Sequence, residues 1–136
     1  AALPGGDPLY IDIDAVSRTY PYVTIAAMFV NSNDGFAAIN GKILRKGNVL
    51  YLNGLDAGAE DNTENCDDMP GPACPADSSN GDPAEPDGTQ FVRVHSGFFG
   101  VEGGSLPAES YDWRNPMLRV EVTCADEDMV PALVLP

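Results

Sequence analysis

Positive charge is what this chain lacks most. Seven of its 136 residues are Lys or Arg against 21 Asp or Glu, so the formal net charge is −14 and the pI is near 4.1. That shortage excludes nucleic acid and anionic lipid as default partners, because both attract basic surfaces. No apolar run approaches the ~20 residues a helix needs to cross a bilayer, so no transmembrane segment is expected. There is no Asn-x-Ser/Thr sequon, which argues against N-glycosylation. Helical periodicity is missing as well, since no apolar pattern with a 3.6-residue repeat persists for ten residues.

What is present is strand signal with frequent punctuation by 14 Gly and 12 Pro. Leu9 to Ala15 alternates apolar and polar residues, as a half-exposed strand does. Tyr22 to Val30 is rich in β-branched and aromatic residues and predicts a more buried strand. Gly35 to Ile39 is a short strand that Asn40-Gly41 should end in a tight turn. Val49 to Asn53, Thr89 to Gly97 and Met117 to Thr123 complete the series. In the last of these, Leu118, Val120 and Val122 share one face, and Arg119, Glu121 and Thr123 share the other. Ser105 to Tyr111 has room for one helical turn at most. Short strands with turns between them predict an all-β chain, an antiparallel β-sandwich or a barrel. Residues 1–136 are read as a single domain.

A long acidic loop, 56–88, interrupts the strands. No base occurs from Gly47 to Val92, yet ten of the acidic residues fall between Asp56 and Asp87. Carboxylates crowded without cationic partners repel one another unless they are solvated or bridged by a cation. Calcium, a hard ion that takes oxygen ligands from irregular loops, suits such a bridge. Asp56 and Glu60, delivered around Gly58 by a strand-like run, are the candidate ligands. The plainer reading is a solvated charged loop in which Asp34 and Asp56 act as turn formers beside glycine. No EF-hand loop is present. The loop is expected to be ordered in its first half and mobile from Pro75 to Gly88.

Cysteine is scarce and odd in number, with three in the chain. Cys66 and Cys74 flank Pro70-Gly71-Pro72, whose turn would bring their sulfurs together in a disulfide worth ~2–3 kcal/mol. Free thiols or a zinc site are the alternatives. Zinc would need further Cys or His nearby, and the one histidine is His95. Cys124 is left over, either a buried thiol or a link to another chain.

Several segments together resemble the spondin N-terminal domain family, including its bacterial secreted members. They are Asn33-Asp34-Gly35-Phe36, Asp56-Ala57-Gly58-Ala59-Glu60, Met69-Pro70-Gly71-Pro72-Ala73-Cys74, Phe91 to Gly97, and Tyr111 to Pro116 followed by Leu118-Arg119-Val120. The similarity spans roughly 27–122, in matching order and spacing. It implies a C2-like antiparallel β-sandwich with calcium held by loops at one end. The ligands it implies are Asp34, Asp56 and Glu60. The family domain extends further on its N-terminal side, and Arg93 and Phe99 stand where bacterial members often carry His.

His95 beside Ser96, with Asp112 as a third member, invites a hydrolase reading. A nucleophile elbow is absent, however, and His95 alternates along an ordinary strand, so it reads better as structural. Trp113 is expected to anchor packing, Arg114 to pair with an acid, and Pro116 to set the entry to the last strand. The apolar tail, 129–136, must dock on its own domain or on a neighbour, which raises self-association by strand exchange. The opening Ala1-Ala2-Leu3-Pro4 reads as a mature end after signal-peptide removal, hence a secreted, periplasmic or extracellular location. The expected function is a non-enzymatic calcium-binding module for adhesion or matrix binding, with an extracellular protein or glycan as partner. A structural subunit of an extracellular assembly is the alternative, and a hydrolase ranks last.

Overall fold

The computed structural model describes residues 8–11, 13, 19–69, 71–74, 83–86 and 88–123. Among the described residues six strands carry the regular structure: β1 (Tyr22–Met28), β2 (Gly35–Ile43), β3 (Val49–Leu52), β4 (Leu55–Asp56), β5 (Arg93–Val94) and β6 (Leu118–Glu121). The described residues add one 3₁₀ turn, Cys66–Asp68, and one short helix, α1 (Ala108–Tyr111). The all-β expectation therefore holds. One sheet has the order β1-β2-β4-β5, and β3 pairs with β6 in a second. The β2–β4, β4–β5 and β3–β6 pairings are antiparallel.

The chain packs as two compact units. One comprises Ala1–Ala26, Ala38–Asn53 and Pro116–Pro136; the other comprises Ala27–Ala37 and Gly54–Asn115. In the first unit, Leu50 of β3 lies opposite Val120 of β6, and Tyr51 lies opposite Arg119. Alternation then sends Val120 into a core with Ile39, against which Ile11, Ile25, Leu50 and Leu52 pack. The partner rows, Val49 and Tyr51, remain exposed.

The second unit has little ladder and is held by side chains. Its core gathers Cys66, Met69, Cys74, Phe98 and Leu106, with Ala108, Tyr111 and Trp113 packed against them. The Trp113 ring meets Phe29 and Phe98 edge-on, at 5.4 Å each, so the expected aromatic anchor is in place. Cys66 and Cys74 are disulfide-bonded, with Cα atoms 5.3 Å apart. The turn between them is shaped by close approach. A Cβ on Gly71 would strike the Asn31 side chain and the Val30 carbonyl, and the Ala73 N–H donates to Asn31 Oδ1 at 3.1 Å.

Several expectations need correction. Asn40-Gly41 does not end β2, which continues to Ile43. Gly41 takes the left-handed conformation (φ 57°) inside the strand, its N–H donates to Thr24 Oγ1 at 3.1 Å, and Thr24 bonds Asn40. The left-handed glycine is thus absorbed within the strand instead of reversing the chain. Of the strand expected from Thr89 to Gly97, only Arg93–Val94 is regular, and the alternation there sends polar members inward. Val92 and Val94 are exposed, while Arg93 is half-buried and His95 is only 4% exposed. The polar members turn inward because a buried carboxylate and an aromatic ring wait for them there. The described positions of the first expected strand, 9–11 and 13, are not in a strand, although Ile11 joins the first core. Arg114 is exposed and forms no ion pair among the described residues. Cys124, the tail 129–136 and most of 75–88 lie outside the described residues.

Candidate metal centre

Asp34 closes the turn between β1 and β2. Ser32 shapes that turn by donating to the Phe29 carbonyl at 2.5 Å and accepting from the Gly35 N–H at 3.1 Å. The Asp34 side chain reaches the segment after β4, where Oδ2 accepts from the N–H groups of Ala59 (2.7 Å) and Glu60 (3.1 Å). Its other oxygen, Oδ1, is buried and has no hydrogen-bond partner among the described residues. A buried acceptor of this kind costs free energy unless something positive meets it.

Glu60 stands beside it. Burial pushes the Glu60 carboxyl above its usual range, and the charges of Asp34 and Asp68 push it the same way, against a lowering hydrogen bond from the Ala84 backbone. Like charges at short range disfavour ionisation. Asp68 is fixed by a hydrogen bond from Thr63 Oγ1 at 2.7 Å, and Asn33 Nδ2 donates to the same hydroxyl at 3.2 Å.

Asp56 differs from the expectation. It is 1% exposed, and both oxygens are engaged. Oδ1 accepts from the Gly58 N–H at 2.8 Å, while Oδ2 accepts from Asn62 Nδ2 at 2.7 Å and from Arg93 Nη2 at 2.9 Å. The base-free run ends at Arg93, and Arg93 turns back to neutralise the first carboxylate of the loop. Asp56 and Arg93 are register partners across β4 and β5, so the sheet itself sets this pair. Arg93 is also fixed by a hydrogen bond to Thr89 Oγ1. Asp34 and Glu60 are thus brought together, whereas Asp56 serves as a clasp on the segment that carries Glu60. Among the described residues, no three His, Cys, Asp or Glu side chains form a ready metal cage.

Glu64 went unnoticed in the sequence and proves to be a main organiser. It is 4% exposed, and its carboxylate accepts from three successive amides, those of Phe99 (2.6 Å), Gly100 (2.8 Å) and Val101 (3.0 Å). Its carbonyl accepts from Ser105 and Leu106. The one available hint was the glycine-rich stretch 97–104, whose amides need acceptors.

The hydrolase grouping takes a different form. His95 Nδ1 accepts from the Gly97 N–H at 3.0 Å, so in the neutral ring the proton sits on Nε2. Asp112 Oδ1 accepts from the Phe98 N–H at 3.0 Å instead of orienting the imidazole. The His95 ring packs on Trp113 at 4.6 Å, and burial lowers its pKa against the opposing pull of Asp56 and Asp34.

Compared with protein-family models, curated proteins and solved structures, the chain matches none.

Proposed function

We propose that this chain is a secreted, non-enzymatic binding module that uses a calcium ion to complete its loop end. The adhesive or matrix-binding role rests on the resemblance to spondin N-terminal domains, as does a C2-like sandwich. The calcium reading has support of its own in one observation: the buried, unpartnered Oδ1 of Asp34 beside a Glu60 carboxyl whose pKa is raised by burial and, further, by the charges of Asp34 and Asp68. Asp34 and Glu60 fit a hard cation, with Asp68 close by and backbone carbonyls and water to complete six to eight oxygens. Asp56 fits less well, since Arg93 and two amide groups already occupy it. Its part is to hold the 56–62 segment so that Ala59 and Glu60 engage Asp34. The disulfide suits an oxidising, extracellular setting. No helix among the described residues is long and apolar enough to cross a membrane.

Calorimetry tests the reading. Calcium binding to the native state alone adds about 2.7 kcal/mol at a hundredfold excess over Kd. Melting temperature should rise with calcium and fall with chelator, and Asp34→Asn should abolish the difference. Identical melting curves in calcium and chelator would reject the site.

A further inference from the structure

The charge of this chain is divided unevenly between its two units. The unit made of Ala27–Ala37 and Gly54–Asn115 holds 14 of the 21 acidic residues and only two bases, Arg93 and Arg114. Arg93 is spent on buried Asp56. Asp61, Asp67 and Glu85 are exposed there, and the Asp61 N–H bonds the Glu85 carbonyl at 2.8 Å, which holds those two segments together. The other unit holds the remaining five bases. Three of them cluster there: Lys42 at the end of β2, and Arg45 and Lys46 on the connection from β2 to β3, all exposed and none with its side chain in an ion pair or hydrogen bond among the described residues.

That connection is preorganised. Asn48 Oδ1 accepts from the Arg45 N–H at 2.8 Å, and the Asn48 N–H returns to the Arg45 carbonyl at 2.9 Å. Gly47 donates to the Val122 carbonyl at 2.8 Å, and Val122 donates to the Asn48 carbonyl at 2.9 Å. The turn is therefore tied to its own sheet, and binding through it orders little backbone. Ile43 and Val49, 46% and 40% exposed, flank the cations with apolar surface.

We propose that the Lys42–Arg45–Lys46 turn docks on the acidic unit of a second copy of this chain, around Asp61, Asp67 and Glu85. Complementary charge argues for this occupant: an excess of carboxylates without cations on one unit, and unpaired cations on the other. Two different surfaces meet, so the contact is head-to-tail and each added copy presents both again. Net charge opposes it at long range, because each copy carries −14. The balance therefore depends on salt. The Debye length is about 30 Å at 0.01 M, 8 Å at 0.15 M and 3 Å at 1 M. At the lowest salt whole-molecule repulsion dominates; at the intermediate value it is screened while contact pairs survive; at the highest the pairs are screened too.

Sedimentation velocity over a range of protein concentrations, with chelator present throughout to separate this contact from calcium binding, tests the proposal. The concentration-dependent rise in sedimentation coefficient should be largest near 0.15 M salt and small at either extreme. Arg45→Glu with Lys46→Glu should abolish the rise, as should Asp61→Lys with Asp67→Lys. Mixing the two variants should restore association, since the acidic face kept by one meets the turn kept by the other and the two reversed surfaces complement each other as well. Circular dichroism of each variant checks that it is folded. Concentration-independent sedimentation at all three salts overturns the proposal, as does association that survives reversal of Arg45 and Lys46. A turn that binds a sulfated polysaccharide and never another copy also overturns it.

Discussion

Glu64 shows how one side chain can hold a loop that has no secondary structure. Three amide donors converge on its buried carboxylate, each a charge-assisted bond worth about 1.5–3 kcal/mol. Glu64→Ala would leave those donors to water or unmade, and should destabilise the protein by at least ~3 kcal/mol in urea denaturation. Glu64→Gln keeps one acceptor oxygen and should lose less. His95 makes a prediction in pH. Its pKa is lowered on folding, so between the folded pKa and 6.5 the unfolded chain binds more protons than the native one. Stability is full above 6.5 and falls as pH drops through that window, a dependence that His95→Gln should remove from chemical denaturation curves. Glu60 has the opposite sign. Its pKa is raised above 4.5, so the strain its charge brings grows as pH rises through the folded pKa. Calcium should therefore stabilise more at neutral pH than near pH 4.5. At this scale Glu60 stood out as an acid in a stretch without bases, and Asp34 was singled out by the family resemblance. It concealed the fate of Asp56, whose partner Arg93 lies 37 residues away along the chain. Glu64 was hidden for the same reason: its donors are 35 to 37 residues distant.

The strands that were legible are those whose side chains decide their own burial. Of the residues expected on the apolar face of the last strand, Val120 in β6 and Val122 just after it are buried and Leu118 is half-buried, and β3 follows by register. Tyr22–Met28 and the single turn of α1 were also visible, the first through β-branched content and the second because nothing else near it favours extension. Two-residue strands are different. Leu55–Asp56 and Arg93–Val94 exist because they pair with each other and because Asp56 finds Arg93 across the ladder. Arg93–Val94 falls inside the run expected from Thr89 to Gly97, but nothing local marks these two residues as the part that pairs. Glycines test this distinction. Gly41 and Gly58 both have positive φ, 57° and 72°. A Cβ on Gly41 meets nothing within 4 Å, so Gly41→Ala should cost only the left-handed backbone, about 1–2 kcal/mol. A Cβ on Gly58 would strike the Phe91 carbonyl and Thr89 Oγ1, in the segment that leads into β5. Gly58→Ala should therefore be distinctly worse, loosening the approach of β5 to β4. Thermal melts of the two variants compare them directly, and equal losses would contradict this account.

At the scale of the molecule, the described residues form two small cores, and they depend on different forces. Ile39 and Val120 close one through β-ladder register, whereas the other is a loop-built cluster in which both cysteines are core residues. A loop-built core has few backbone bonds to share the entropy of ordering, so covalent restraint matters more to it. The Cys66–Cys74 bridge spans a sequence separation of 8. A ring of that size removes roughly 2–3 kcal/mol of unfolded-state freedom on the chain-entropy view. Replacing both cysteines by Ala also removes the sulfurs from the core they share with Met69, Phe98 and Leu106, which adds a packing loss. The effect should be local before it is global. Amide hydrogen exchange in the double variant should accelerate first at Phe99, Gly100, Val101 and Leu106, whose donors depend on Glu64 and thus on the neighbouring Cys66. Exchange along the β3–β6 ladder should change less, because its hydrogen bonds and its core belong to the other unit. Uniform acceleration across both sets would mean that the two units open together, and that the disulfide stabilises the molecule as one cooperative body.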